Sequence, residues 1–261
     1  DYEGAWQEIL KHNPMPAVMG RACYHTCEGA CNRGAVDEAV GIHAVERFLG
    51  DLANKHGWMP DYEAEPSGKK VLVIGAGPAG LACAYHLTRM GHAVTIADAS
   101  DKAGGLLRYG IPRYRLPNEV LDGDIKRIEK MGVSFQMNTY IEDMLKAKEA
   151  GGYDALFVAV GAQRARTLDI PGDGGIAVVN AIDVLRQFEN SADGGELSLG
   201  GKVVIYGGGN VAMDVARSAV RLGAAVQMVV LESREQMPAH DFEVKEALEE
   251  GCQIQPLRTI A

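Results

Sequence analysis

Three thiols, Cys23, Cys27 and Cys31, stand at the spacing C-x3-C-x3-C, with His25 among them. The chain has five cysteines, an odd number, and the other two, Cys83 and Cys252, are isolated. Clustered thiols in that arrangement read as metal or cluster ligands rather than a disulfide framework. Two chemistries suit them. Cys23, His25, Cys27 and Cys31 would complete a structural zinc site, and the three thiolates alone would serve as ligands of an iron–sulfur cluster, although the spacing differs from the C-x2-C-x2-C of ferredoxins. Arg21 and Arg33 flank the group, where they would either offset cluster charge or lie solvated.

Two glycine turns offer a second chemistry. In the first, Gly75-Ala-Gly77-Pro78-Ala79-Gly80 follows an apolar run, Val71–Ile74, and opens an apolar helix. The first glycine of such a turn allows a tight bend, the second lets the backbone approach a pyrophosphate, and the third lets helix and strand pack closely. The helix N-terminus adds free N–H groups and the positive end of its dipole. Asp98 ends the next strand, where an acid can hold a ribose hydroxyl. In the second turn, Gly207-Gly208-Gly209-Asn210-Val211-Ala212, alanine takes the third position, a permitted variant. After the strand that follows come Glu232, Ser233 and Arg234. Glu232 would bond a ribose diol and repel a 2′-phosphate, which favours NAD(H), whereas Arg234 would accept that phosphate. Two dinucleotide turns in one chain fit a bound flavin, FAD, and a diffusible nicotinamide that exchanges electrons with it.

The elements that must carry these residues are legible from periodicity. Residues 69–98 and 201–232 each read as strand, glycine turn, apolar helix, glycine and second strand, the βαβ unit of a parallel sheet. Between them the pattern predicts helices over Pro117–Met131 and Ala181–Phe188 and strands over Val133–Met137 and Asp154–Val160. Within residues 1–60, Val40, Ala44, Val45, Phe48, Leu49 and Leu52 fall at helical spacing and predict a helix over Glu38–Leu52. The polar stretch 61–68 reads as a linker. The expected architecture is therefore α/β: a helical cysteine segment, 1–66, then two Rossmann-like domains, 67–166 for FAD and 167–261 for NAD(P)H, the second incomplete.

Composition narrows the function classes. With 47% hydrophobic and 23% charged residues the chain can bury a core, which excludes a disordered protein. The formal charge of −9 argues against nucleic acid or an anionic membrane as the main partner. The apolar run near Val71–Ala84 is broken by glycines and a proline and is too short to span a bilayer. Clustered thiols and the lack of a secretory leader point to a cytoplasmic setting.

The strings NPMPAVMGRACYHTCEGACNRG (13–34), VLVIGAGPAGLACA (71–84), GGLLRYGIPRYRLP (104–117), VAVGA (158–162) and GGGNVAMD (207–214) with SREQMPAH (233–240) resemble one family nearly end to end. It is the glutamate synthase small (beta) subunit family of FAD- and NAD(P)-dependent iron–sulfur oxidoreductases. Its relatives include ferredoxin:NADP reductase-type subunits and the N-terminal part of dihydropyrimidine dehydrogenase. The VMGRACYHTCE variant is most similar to NADH-linked iron–sulfur flavoproteins that partner dissimilatory sulfite reductase. The resemblance implies that Gly105, Leu106, Leu107 and Arg108 line the flavin, with Arg108 beside its pyrophosphate. It also implies that Gly110, Ile111 and Pro112 pass its ring system, and that Gly161 lies close to it. For the thiols it implies one or two [4Fe-4S] clusters, with an upstream ligand group outside this sequence. Relatives carry a fourth cysteine just before Cys23, where this chain has Met19.

As function the resemblance implies NAD(P)H:acceptor electron transfer, with NADH favoured: nicotinamide to FAD, then single electrons through [4Fe-4S] clusters to a redox partner in an oligomeric complex. That partner would be a ferredoxin, a glutamate synthase large subunit or a sulfite reductase. Such chemistry asks for positioning more than for a side-chain acid or base, so no catalytic residue is assigned; His25, His240 and Asp214 read as polar groups at helix starts and loops. No C-x-x-C pair is present, which argues against disulfide reduction. In the resembled family the nicotinamide domain interrupts the flavin domain, which implies a piece of a longer chain. The rival reading is a non-redox NAD-binding or regulatory module with a structural zinc.

Overall fold

The computed structural model describes residues 1–165, 178–190 and 199–260. The domain boundary expected at 166–167 lies outside them. Two compact units divide the chain: residues 1–108 with 113–161, and residues 109–112 with 162–261.

The first unit opens with α1 (Tyr2–Ile9), α2 (Pro16–Ala22), the single turn α3 (Thr26–Gly29) and α4 (Ile42–His56). Asp1 caps α1 by accepting the Gly4 N–H at 2.8 Å. Helix α4 stops at Gly57, whose φ of 68° supplies the left-handed residue that ends a helix. Helices α2 and α4 cross backbone to backbone. A Cβ on Gly50 would lie 2.2 Å from the Ala17 nitrogen, and one on Gly20 would lie 2.4 Å from the Arg47 nitrogen.

The helix expected over Glu38–Leu52 lies four residues further along the chain. The helix starts at Ile42, and its inward face is Leu49, Gly50 and Ala53. Val40, Val45 and Phe48 are about half exposed, with Phe48 edge-on to Tyr2. Close approach at glycine selected a different face from the one carrying the largest side chains.

The sheet of this unit is built from β1 (Lys70–Ile74), β2 (Ala93–Ala97), β3 (Ser134–Gln136) and β4 (Ala155–Val158), all parallel, in the order β3-β2-β1-β4. Helices α5 (Pro78–Arg89), the turn α6 (Leu106–Tyr109), α7 (Asn118–Lys130) and α8 (Met144–Gly151) lie in the connections. Four of five β1 residues are buried, as a central parallel strand requires. Leu72, Val73, Ile96, Leu81, Ala84, Leu121 and Ile128 form the interior.

The second unit holds α9 (Ala181–Asn190), β5 (Lys202–Tyr206), α10 (Asn210–Arg221), β6 (Ala225–Val229), α11 (Asp241–Glu249) and β7 (Gln253–Gln255). Its strands are parallel in the order β5-β6-β7, three among the described residues. Met213, Ala216 and Ala219 of α10 pack with Val226, Met228, Val244 and Ala247. Both units have the strand–turn–helix order and parallel pairing expected from the sequence.

Candidate functional site

The first glycine turn joins β1 to α5. Gly75 has φ of 111°, and a Cβ there would lie 2.2 Å from the Ala159 carbonyl oxygen. A Cβ on Gly80 would lie 1.9 Å from the Gly75 oxygen, so glycine here lets α5 start against the strand. Gly77 is different: its Cβ would meet nothing closer than the Gly105 Cα at 3.8 Å. The space over Gly77, at the start of α5, is open to an incoming group. Pro78 and Ala79 form the first turn of that helix, and proline at this place has no N–H to leave unpaired.

Asp98, just past β2, is turned to this loop. One carboxylate oxygen accepts the Ala76 N–H and the other the Ser100 N–H, each at 2.7 Å. The segment after it folds back too. The Gly104 N–H donates to the Ala76 carbonyl at 2.8 Å. Gly105 has φ of 55° and lies close enough to Gly77 that a Cβ would be 2.7 Å from its Cα. Leu106 is partly exposed and Leu107 buried. Arg108 is buried, and its guanidinium donates to the Ala103 carbonyl at 2.6 Å, to Asn118 at 3.4 Å and to Asp122. The structure therefore commits Arg108 to bracing the loop from α7. Gly110 and Ile111 group with the second unit and are partly buried. Gly161 has φ of 68° and follows the Ala159–Val160 stretch that covers Gly75.

The second turn joins β5 to α10. Gly207 has φ of 136° and donates its N–H to the Val229 carbonyl at 3.0 Å. Ala212 stands where the third glycine would, 3.9 Å from a Cβ built on Gly207. Nothing lies within 4 Å of a Cβ on Gly209, so this turn too has open space at its helix start. Val211 is half exposed in the first turn of α10. The Glu232 carboxylate hangs over the turn, 3.6 Å from a Cβ built on Gly208. Its backbone carbonyl accepts the Leu257 N–H at 3.1 Å. The Ser233 hydroxyl donates to Glu235 at 2.9 Å, and Arg234 reaches the Met237 sulfur at 3.5 Å. Residues 233–240 close over the turn, since the Ala239 N–H donates to the Gly208 carbonyl at 3.0 Å and Asn210 Oδ1 accepts the His240 N–H at 2.9 Å. This backing was not legible in the sequence, where Asn210 reads only as part of the second glycine turn.

The cysteine loop runs between α2 and α4. Cys23 and Cys27 are exposed and Cys31 is partly so, none in a disulfide. The Cys23 N–H donates to the Met19 carbonyl at 3.0 Å, so Met19 stands one helical turn before it. His25 has a left-handed φ of 42°, donates its N–H to Cys23 Sγ at 3.3 Å and has its ring 4.6 Å from that of His43, tilted by 32°. The amides of Val40, Arg33 and Gly34 draw the Cys31 thiol below its ordinary range, which favours the thiolate that a metal binds. Glu28 caps α4 by accepting the His43 N–H at 2.9 Å. Arg21 makes a two-pronged pair with Asp51 at 2.8 and 2.9 Å, and Arg33 pairs with Asp37 at 2.5 Å. Among the described residues no three His, Cys, Asp or Glu side chains are gathered closely enough to hold a metal ion, so Cys23, Cys27 and Cys31 are not drawn together, with or without His25. In donor chemistry the three free thiols, with one favoured as thiolate, fit three ligands of an iron–sulfur cluster. The two open glycine turns fit the pyrophosphates of two dinucleotides.

Residues 69–255 match the family model described as pyridine nucleotide-disulphide oxidoreductase, and residues 1–58 match dihydropyrimidine dehydrogenase domain II, 4Fe-4S cluster. The chain belongs to the pyridine nucleotide-disulphide oxidoreductase family. The two matches place a 4Fe-4S cluster segment ahead of a pyridine-nucleotide oxidoreductase region. It is 39% identical to the NADP(+)-dependent formate dehydrogenase subunit beta of Moorella thermoacetica, over 96% of this chain and 39% of that protein. It is 37% identical to the glutamate synthase [NADPH] small chain of Escherichia coli, over 94% of this chain and 56% of the relative. A 2-naphthoyl-CoA reductase structure shares its fold with a TM-score of 0.63 and 25% identity, over 92% of this chain and 38% of the other. The chain thus spans roughly two-fifths to three-fifths of the length of the curated relatives it matches. No helix among the described residues is long and apolar enough to cross a membrane.

Proposed function

We propose that the protein is an electron-transfer subunit that takes electrons from NADH, in preference to NADPH, and delivers them singly to a partner protein. One observation carries this reading: two glycine turns with open helix starts and a loop of three free thiols occur in a single chain. When bound, the nicotinamide and flavin supply two-electron exchange, with NADH oxidised to NAD+ and a proton released, and the iron–sulfur cluster supplies the one-electron steps by which both electrons leave.

The chain's own residues would divide the work between them. Gly75, Gly77, Pro78, Ala79 and Gly80 would seat the FAD pyrophosphate at the start of α5, with Asp98 ordering the loop and reaching the ribose. Gly105, Leu106 and Leu107 would wall the flavin. Gly110, Ile111 and Gly161 would approach it through backbone, and Arg108 would hold that wall in place. Gly207, Gly208, Gly209, Asn210, Val211 and Ala212 would seat the nicotinamide dinucleotide. Ser233 and Arg234 would border its ribose, where the Glu232 carboxylate repels a 2′-phosphate. That preference departs from the two relatives above, whose names specify NADP(H). Cys23, Cys27 and Cys31 would ligate a 4Fe-4S cluster whose fourth ligand, in place of the cysteine that Met19 replaces, is not among the chain's clustered thiols. The partner would be a larger catalytic subunit or a small redox protein, as the relatives' status as subunits suggests.

The test is spectroscopic. Protein purified without oxygen should show flavin and iron–sulfur absorption, and NADH should bleach the flavin faster than NADPH does. A colourless protein would sink the reading and favour the binding-module alternative. Flavin that only NADPH bleaches would overturn the donor preference.

A further inference from the structure

Resting on that functional reading, we propose that Asp124 is a positioning residue that sets the separation between the cysteine loop and the flavin cradle. Helix α2, which leads directly into Cys23, has Met15 at its N-cap and no side-chain cap of its own. A carboxylate 106 residues away does that work: Asp124 Oδ2 accepts the Val18 N–H at 3.1 Å. Asp124 is fully buried, and Arg127 lies beside it at 2.6 Å with only 4% of its side chain exposed. Burying such a pair is a costly way to cap a seven-residue helix, since a surface Ser or Asp at position 15 would do so without desolvating a charge. The long-range pair adds something a local cap cannot, a fixed register between α2 and α7.

Helix α7 holds the flavin wall by its neighbouring residues. Asp122 pairs with Arg108, and Asn118 accepts from the same guanidinium. Arg108 in turn closes on the Ala103 carbonyl, next to the Gly104–Gly105 segment that lies on the first glycine turn. Residues 118–124 therefore grip the flavin wall at one end and the helix leading to the thiols at the other. A second contact joins the same two parts: the Arg115 guanidinium lies over the ring of Tyr24, the residue after Cys23, at 5.8 Å. Arg127 extends the grip to Trp6 at 5.0 Å, to Asn54 at 2.6 Å and to the Trp58 carbonyl at 3.2 Å, which fixes α1 and α4 to α7 as well.

The experiment compares the anaerobically purified wild type with Asp124→Ala and Asp124→Asn, the latter keeping an oxygen acceptor for the Val18 N–H. Flavin and iron contents are measured first. Rapid mixing with NADH then follows flavin bleaching and iron–sulfur bleaching separately. We expect flavin bleaching to stay within about twofold of wild type, and iron–sulfur bleaching to slow by up to about 10²-fold in Asp124→Ala, with partial rescue in Asp124→Asn. Hydrogen exchange should show the Val18 amide deprotected in the alanine variant only. Unchanged iron–sulfur bleaching in Asp124→Ala would overturn the proposal. So would equal slowing of both phases, or loss of the cluster from both variants with flavin retained, since each assigns Asp124 to general stability or cluster retention. A wild-type protein lacking flavin or iron would fail the functional reading itself, before any variant is compared.

Discussion

A Cβ added at Gly77 and one added at Gly80 meet opposite surroundings, and the contrast separates folding from binding at single residues. At Gly80 the new atom would sit 1.9 Å from a backbone oxygen, so α5 must move off β1. Gly80→Ala should cost about 1–3 kcal/mol of stability, measured by denaturant unfolding. Gly77 has φ of −77°, which alanine adopts freely, and open space beyond it. Gly77→Ala should therefore fold within about 0.5 kcal/mol of wild type yet lose about tenfold or more in flavin affinity, about 1.4 kcal/mol, by titration of the apoprotein. Equal flavin affinity would remove the first turn from the cofactor site. Glu232 acts through charge rather than shape. Glu232→Arg should raise the kcat/KM ratio for NADPH over NADH by about tenfold or more, since a guanidinium there would pair with a 2′-phosphate; an unmoved ratio would take Glu232 out of cofactor selection.

At the level of elements, the apolar packing of α10 on α11 is flanked by a charge cluster centred on one guanidinium. Arg217, nearly buried, faces Glu246 at 2.5 Å, Glu250 at 2.7 Å and the fully buried Glu243 at 3.7 Å, and Arg221 shares Glu250 at 2.8 Å. Removing it as Arg217→Met takes one positive charge from beside the buried Glu243 and from Glu246 and Glu250, and the second unit should lose about 3–5 kcal/mol. Titration gives a separate check. Burial pushes the Glu250 carboxyl up, but hydrogen bonds and charge from Arg217 and Arg221 outweigh it, and the net value lies below the ordinary 4.5. A carboxyl lowered on folding adds stability above its unfolded value, and that stability is lost as pH falls below 4.5 through the lowered one. The second unit should therefore weaken in that acid window, and Arg217→Met should flatten the loss. A variant whose acid profile matches wild type would show that the cluster is not coupled to folding. The helices that flank the cysteine loop follow a different logic, in which Glu28 and Asp124 cap α4 and α2 from elsewhere in the chain. No periodicity announces such caps, and in the sequence both acids look like ordinary solvated charges.

For the molecule as a whole, two compact units each carry one glycine turn, so the two dinucleotides should leave separate footprints. Nicotinamide dinucleotide at about 100 times its Kd should stabilise the unit that binds it by about 2.7 kcal/mol. Hydrogen exchange should show that protection in β5, β6 and α10, around residues 207–212, with the amides of residues 75–80 unchanged. FAD should do the reverse. Protection of both turns by one nucleotide would contradict the assignment of one cofactor to each.

The alternation of apolar strands, glycine turns and helices had already prescribed two parallel α/β units, because continuous apolar runs and the φ requirements of glycine are local properties. The two glycine turns likewise marked dinucleotide sites through residue types at short spacing, whereas the thiol spacing left zinc and an iron–sulfur cluster both open and the family resemblance pointed to the cluster. Tertiary structure decided what depends on distant partners. It turned α4 so that Gly50, not Phe48, faces inward, since two backbones can approach where no Cβ intervenes. It engaged Arg108 with Asp122 and Asn118, hung Glu232 over Gly208, and brought Asp124 across 106 residues to cap the helix before Cys23. Each of those outcomes rests on a buried charge or a close contact whose partner is distant in the chain, and only the folded backbone brings the two together.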